Sequence, residues 1–281
     1  MSKDNKDSFY DTTLQLIGTV AKFPIIRVNR EDFLRKQFAK SPYIDQILSK
    51  GPQFVYTVES LRKKANEVIK SSTNKTSIVA FASGLPSNPV IMVAAGGADV
   101  AQYFGFAINL AQKIAYLFGE DELFDGGVEN FSEDAKVRII AYLGAMLGAS
   151  GASSLIAQTS KIAGANLGKK VAAKALTKTA WYPLLKRVGA IIGQKITKKT
   201  VEKTITKAVP VVGGVISGGI TYVTFRPMGN RLADIFVKNL KGEFADQLDL
   251  NPDFAATLHK THEQSNEIID ADFSEVDEGN A

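Results

Sequence analysis

Two long stretches without a charged side chain constrain this sequence more than any other feature. From Ile139 to Ser160, 22 residues carry no charge, between Arg138 and Lys161; from Ala208 to Phe225, another 18 carry none, between Lys207 and Arg226. Small residues recur at every fourth position inside them: Gly144, Gly148 and Ala152 in the first, Gly214 and Gly218 in the second. On a helix that spacing puts the small residues on one face, where a second helix can approach backbone to backbone. Each stretch is long enough to cross a bilayer, which takes roughly 20 apolar residues. Ser150, Ser153, Ser154, Gln158 and Thr159 lower the hydropathy of the first, however, and Pro210 with four glycines interrupts the second. The reading preferred is a helical hairpin buried in a bundle. A hairpin that engages lipid, or spans it, is the alternative.

Punctuation elsewhere favours helices. Proline suits the first helical position, where its missing N–H had no partner, and a small polar residue or Gly before it suits the cap. The chain offers Ser41-Pro42, Gly51-Pro52, Asn88-Pro89 and Asn251-Pro252, with further starts at Asn29/Asp32 and Ser132-Glu133-Asp134. These signals predict helices over 8–22, 30–40, 43–49, 53–70, 89–118, 132–160, 162–179, 182–207, 209–225, 228–241 and 252–267. Residues 24–28 are expected to be extended. The β-branched and aromatic run 220–225 is compatible with a strand and is read as helix. The expected fold is therefore all-α: a multi-helix bundle with a central glycine/alanine-rich apolar core. One domain is expected over 1–262, with amphipathic helices in 1–75 and the apolar and basic helices in 76–262, followed by an acidic disordered tail at 263–281.

Charge is distributed unevenly. The chain is +5 overall, yet the part after Lys260 holds seven acids and no Lys or Arg, which leaves +12 for the rest. Residues 161–207 hold twelve basic side chains against one acid, Glu202. A surplus so localised points to a polyanionic partner: anionic lipid, nucleic acid or the acidic tail itself. Lys169, Lys170, Lys174, Lys178, Lys186 and Arg187 alternate with apolar positions and flank Trp181. Basic and aromatic side chains in that mixture settle at the headgroup level of a bilayer. A solvated lysine face is the plain alternative. Nucleic acid is the weaker reading, because Arg, the usual base reader, occurs once in the segment and no nucleic-acid-binding motif accompanies it.

Residues 89–118 form the best-defined predicted helix, with Gly119 as its stop. Asp99, Gln102, Asn109 and Lys113 share one narrow polar stripe, so most of this helix has to be covered. Asp99 follows five small residues and is either a ligand-contacting carboxylate or a structural one that caps or pairs. Conventional catalytic and cofactor signatures are missing. The chain has no cysteine, which excludes disulfides, thiol catalysis and cysteine zinc sites. Its two histidines, His259 and His262, sit just before the acidic tail without a set of organised ligands. Glu120, Asp121, Glu122 and Asp125 lack calcium-loop spacing and read as a solvated loop. No Gly-Lys-Ser/Thr phosphate loop occurs. The expectation is a protein without metal or cofactor and without enzymatic activity, with an enzyme or small-ligand site near Asp99 as the alternative. No apolar segment follows the Met-Ser-Lys-Asp-Asn-Lys-Asp start, so a secretory signal is not expected.

The run Ala94-Ala95-Gly96-Gly97-Ala98-Asp99, continuing through an apolar helix to Leu117-Phe118-Gly119, resembles the central motif of the bacterial EcsC family. Val209-Pro210-Val211-Val212-Gly213-Gly214 is similar to that family's Pro-Val-Val-Gly element. The resemblance covers roughly 55–240 and leaves the acidic tail outside. It implies no catalytic residues, and it carries Asp99, Pro210, Gly213 and Gly214 only as motif positions. Because the family is named for a gene beside an ABC transporter, it adds a membrane transporter as an expected partner. Location is expected to be cytoplasmic, peripheral at the inner face of the cell membrane, with integral insertion as the alternative.

Overall fold

A computed structural model describes residues 3–85, 98–124, 132–160, 186, 188–190, 192–193 and 218–243. Helices α1 (Lys3–Val20), α2 (Arg30–Gln37), α3 (Ile44–Lys50), α4 (Val58–Ser72) and α5 (Lys75–Ser83) precede α6 (Ala98–Leu117). Then come α7 (Glu133–Met146), α8 (Ala152–Thr159) and α9 (Gly218–Leu240), with short 3₁₀ turns at Pro24–Ile26 and Pro52–Phe54. No strand occurs among the described residues. The fold is all-α.

Local chemistry accounts for the starts. The Asn29 side chain accepts a hydrogen bond from the Asp32 N–H at 2.8 Å, and Glu31 and Asp32 occupy the positive end of the α2 dipole. Ser132 caps α7 through the Ala135 N–H at 3.2 Å. Gly51-Pro52 opens a 3₁₀ turn, and α4 begins later, capped by Thr57. Helix α5 was not anticipated; Asn74 starts it by accepting from the Ser77 N–H at 2.7 Å.

The bundle is organised around α6 and α9. Helix α9 packs on α4, α6 and α7, while α1, α2 and α4 pack on α6. Aromatic rings fix this arrangement. Phe225 of α9 meets Phe106 and Tyr103 of α6 at 4.7 and 5.0 Å, and Phe236 meets Phe118 and Tyr142 at 5.6 and 5.5 Å. The polar stripe of α6 is used structurally. Gln112 donates to the Ile26 carbonyl at 2.7 Å and accepts from the Val28 N–H at 3.0 Å, and Asn109 donates to the Ile25 carbonyl at 3.1 Å. These amides strap the connector after α1 onto α6, which explains why Pro24–Ile26 closes into a 3₁₀ turn where extended chain was expected.

Two other expectations are corrected. The predicted helix 132–160 breaks at Leu147–Gly151 into α7 and α8. At the break Gly148 takes φ +73°, the Ala149 N–H donates to the Gly144 carbonyl at 2.8 Å, and the Gly148 N–H donates to the Ala145 carbonyl at 3.0 Å. This crossed pair of bonds with a left-handed glycine is the Schellman stop, and Gly151, at φ +87°, lets α8 depart in a new direction. Gly144, Gly148 and Ala152 therefore do not line one helix face. Gly148 is the stop, and Ala152 folds back to within 3.2 Å of where a Gly144 Cβ would lie. Secondly, Phe225 does not end a helix: α9 runs through Pro227, whose exposed ring faces away from the core. The predicted helices 162–179 and 252–267, most of 209–225 and the tail 263–281 lie outside the described residues, as does most of 182–207. No helix of the described residues is long and apolar enough to cross a membrane.

Candidate functional site

The α6 stop places a fully buried carboxylate. Gly119 adopts φ +95°, and a second Schellman pair forms there: the Glu120 N–H donates to the Ala115 carbonyl and the Gly119 N–H to the Tyr116 carbonyl, both at 3.1 Å. The left-handed φ requires glycine here, and a side chain at this position would also have to displace the flexible Gln53 amide. The reversal turns Glu120 inward, where it is 0 % exposed. This corrects the expectation of a solvated acidic loop at Glu120; Asp121 is exposed, Glu122 is half-buried, and Asp125 lies outside the described residues.

Glu120 Oε2 lies 3.3 Å from Nη2 of Arg138, itself 1 % exposed, and Oε1 accepts from the Ser160 hydroxyl. Arg138 Nη2 also donates to the Asp121 carbonyl at 3.0 Å, and Nη1 reaches the Asp134 carboxylate at 3.5 Å. From the other side, Arg30 Nε donates to the Glu120 carbonyl at 2.9 Å, and the Arg30 N–H reaches Glu122 at 3.4 Å. Tyr116 Oη accepts from the Leu123 N–H at 3.2 Å. Two arginines thus draw the acidic segment into the fold. Burial works against the Arg138 charge, but the Tyr142 oxygen and the carboxylates of Glu120 and Asp134 outweigh it and hold the guanidinium protonated. Burial pushes the Tyr142 hydroxyl far above its ordinary range, with the Glu120 charge adding to the rise and Arg138 opposing it. Burial likewise raises Tyr116 and Tyr103. Arg138 Nε and Tyr142 Oη are both buried without a hydrogen bond of acceptable geometry.

This arrangement joins the end of α6, the middle of α7 and the residue after α8. It suits a structural lock: the carboxylate is committed to Arg138 and Ser160, and among the described residues no group of three or more acidic or histidine side chains is placed to hold a metal ion. Sequence reasoning missed Glu120, Arg138 and Ser160 as a set. A signal was present, because Arg138 follows Asp134 by one helical turn and is the last charge before a 22-residue uncharged run.

The lysine-rich segment has a seat on the bundle. Val188 and Ile192 are fully buried, and the Gly189 carbonyl accepts from Thr13 of α1 at 3.0 Å. Gly144 of α7 leaves the space that Val188 fills. A backbone-to-backbone approach was expected at Gly144; the space is taken instead by the side chain of Val188, a helical residue. Lys186 is helical and half-buried. Lys169, Lys170, Lys174, Lys178, Trp181 and Arg187 lie outside the described residues, as do Pro210, Gly213 and Gly214. Asp99 and Gln102 are both on α6, and Gln102 is buried. Lys113, farther along the same helix, is half-buried; burial and the neighbouring Lys36 charge lower its amine below the ordinary lysine range. Compared with protein-family models, with curated proteins and with solved structures, the chain matches none.

Proposed function

We propose that this chain is a non-enzymatic helical protein that adsorbs peripherally to anionic membrane surfaces through its lysine-rich segment, 161–207. The observation that supports this most is the seating of 188–192 on α1 and α7. It gives a segment with eleven net positive charges a point of attachment on the helical bundle. Each Lys or Arg close to an anionic leaflet contributes about 1 kcal/mol, so a handful acting together gives measurable adsorption. The break of the first uncharged run at Leu147–Gly151 favours a surface mode over a span, since neither α7 nor α8 alone covers a bilayer. The EcsC-like motifs are in keeping with this reading, and a membrane transporter is the protein partner they suggest.

Flotation of the full chain with anionic and zwitterionic vesicles, at low and high salt, tests it. Binding confined to anionic vesicles and lost in salt is expected, because exposed charges are screened beyond roughly 8–10 Å at physiological ionic strength. Binding that survives salt would indicate inserted apolar helices instead. Absence of binding under every condition would overturn the reading.

A further inference from the structure

An open cleft of about 330 Å³ lies where α9 passes the α7–α8 elbow, and it has no part in the lysine-rich segment. It falls at the small end of ligand-binding clefts, roughly 300–1,000 Å³. Arg231, Asp234 and Lys238 line one wall, at i, i+3 and i+7 on α9; Gly148, Ala149 and Ser153 line the other. The two walls complement each other chemically.

Arg231 Nη1 donates to the Met146 carbonyl at 2.8 Å. That bond uses one N–H of the guanidinium and fixes its position, leaving the other donors of the fork available. The Lys238 side chain makes no hydrogen bond or ion pair with the described residues. The single acid of the cleft is already answered: Asp234 pairs with Arg62 at 2.9 Å. Two cationic groups therefore line the cleft beside one carboxylate, and that carboxylate is paired with Arg62, which is not part of the lining. Opposite them, Gly148 has nothing within 4 Å of where a Cβ would stand, so the elbow is open. Gly151 caps α8 with no side chain, and the N–H groups of Ser153 and Ser154 find no acceptor among the described residues. The Ser153 hydroxyl adds a further donor to the cleft.

We infer that this cleft binds a phosphate group, with Arg231 and Lys238 supplying charge and Ser153 supplying polar donors from the facing wall. Phosphate suits such a lining, because it takes a guanidinium fork and a lysine ammonium together and has further oxygens for neutral donors. The group could belong to free phosphate or to a phosphomonoester headgroup, and the chemistry that recognises it is the same.

Titration of the full chain with inorganic phosphate, followed by calorimetry against a chloride control, should give saturable binding. Lys238→Gln and Arg231→Gln should each weaken it by roughly tenfold, the factor that about 1.4 kcal/mol represents. Lys238→Gln breaks no hydrogen bond or ion pair with the described residues and keeps the test valid if loss of the Met146 contact unfolds Arg231→Gln; its melting temperature should match the parent. Vesicles carrying phosphatidic acid or phosphatidylserine at equal surface charge separate the two sources. A preference for phosphatidic acid that Lys238→Gln abolishes assigns the site to a headgroup, and phosphate binding without that preference assigns it to the free anion. No saturable phosphate binding, or equal affinity in the parent and in a folded Lys238→Gln, would overturn the assignment whatever the lysine-rich segment does.

Discussion

Replacing Arg138 by Met should cost the fold far more than an ordinary surface change. The pair it belongs to is sealed, at 1 % and 0 % exposure, with 3.3 Å between Arg138 Nη2 and Glu120 Oε2. At that distance unit charges attract by about 5 kcal/mol for an effective dielectric near 20. The attraction offsets the several kcal/mol that each ion loses on leaving water. Methionine fills similar space but removes the attraction, and Glu120 retains the hydrogen bond from the Ser160 hydroxyl. The expected loss is about 3–5 kcal/mol. Glu120→Gln should cost less, because Asp134 and the Asp121 carbonyl still serve the guanidinium. In the double variant no charge remains buried, so its loss should fall short of the summed single losses by about 2 kcal/mol or more. Urea unfolding of all four proteins measures this cycle, with a common slope as the check that the unfolded states are alike. An Arg138→Met loss under about 1 kcal/mol, or strict additivity, would show that water reaches the pair and that the lock is no lock.

Gly119→Ala should destabilise by about 1–3 kcal/mol, because alanine must adopt φ +95° and meet the Gln53 amide; equal stability in a melt would refute the Schellman account of Glu120 placement. Gly144→Ala should displace Val188 and loosen its seat, read as faster tryptic cleavage at Lys186 at unchanged cleavage elsewhere. Pro227→Ala should stabilise by about 2 kcal/mol, since a helix interior disfavours proline by roughly 3 kcal/mol relative to alanine; a lower melting temperature would contradict a continuous α9. Tyr116 and Tyr142 have folded pKa values above the ordinary 10.0, so their contribution is complete below pH 10 and declines above it, where only the unfolded chain gives up the proton. Lys113 acts with the opposite sign, its cost easing as pH rises toward 10.5, but one amine is set against two fully enclosed phenols. Alkaline unfolding should therefore coincide with a cooperative step in tyrosinate absorbance, and smooth titration of every tyrosine in the folded protein would refute this.

The all-α fold was legible because it depends on local grammar. Asn29 and Ser132 announce helix starts by chemistry that needs no tertiary partner, and Gly119 announces a stop in the same way. The break at Gly148 was harder to read, because a glycine four residues after Gly144 carries two meanings. It can pack a face or end a helix, and only the sign of its φ, fixed by where α8 must go, decides. Glu120 was misread for a related reason. Four neighbouring acids look solvated when counted along the chain, yet the Schellman turn brings one of them into contact with an arginine 18 residues away. The phosphate cleft was illegible altogether, since Arg231, Lys238 and Ser153 share no spacing until α9 crosses the elbow.

The lock and the seat together bear on how a basic segment can work at a membrane. Ser160 is held by Glu120 immediately before the segment, and Val188–Ile192 is held against α1 and α7 within it. The segment is therefore anchored at two points, at Ser160 by Glu120, which follows α6, and at 188–192 by α1 and α7. A free arm loses about 1–2 kcal/mol of backbone entropy for each residue it orders on adsorption, which would consume the roughly 1 kcal/mol gained per lysine. A segment already tied to a rigid body has fewer conformations to lose, so more of the electrostatic gain remains as affinity. On this argument the buried Glu120–Arg138 pair and the Gly144 notch matter to adsorption without touching lipid. Gly144→Ala should weaken vesicle binding while leaving every lysine in place.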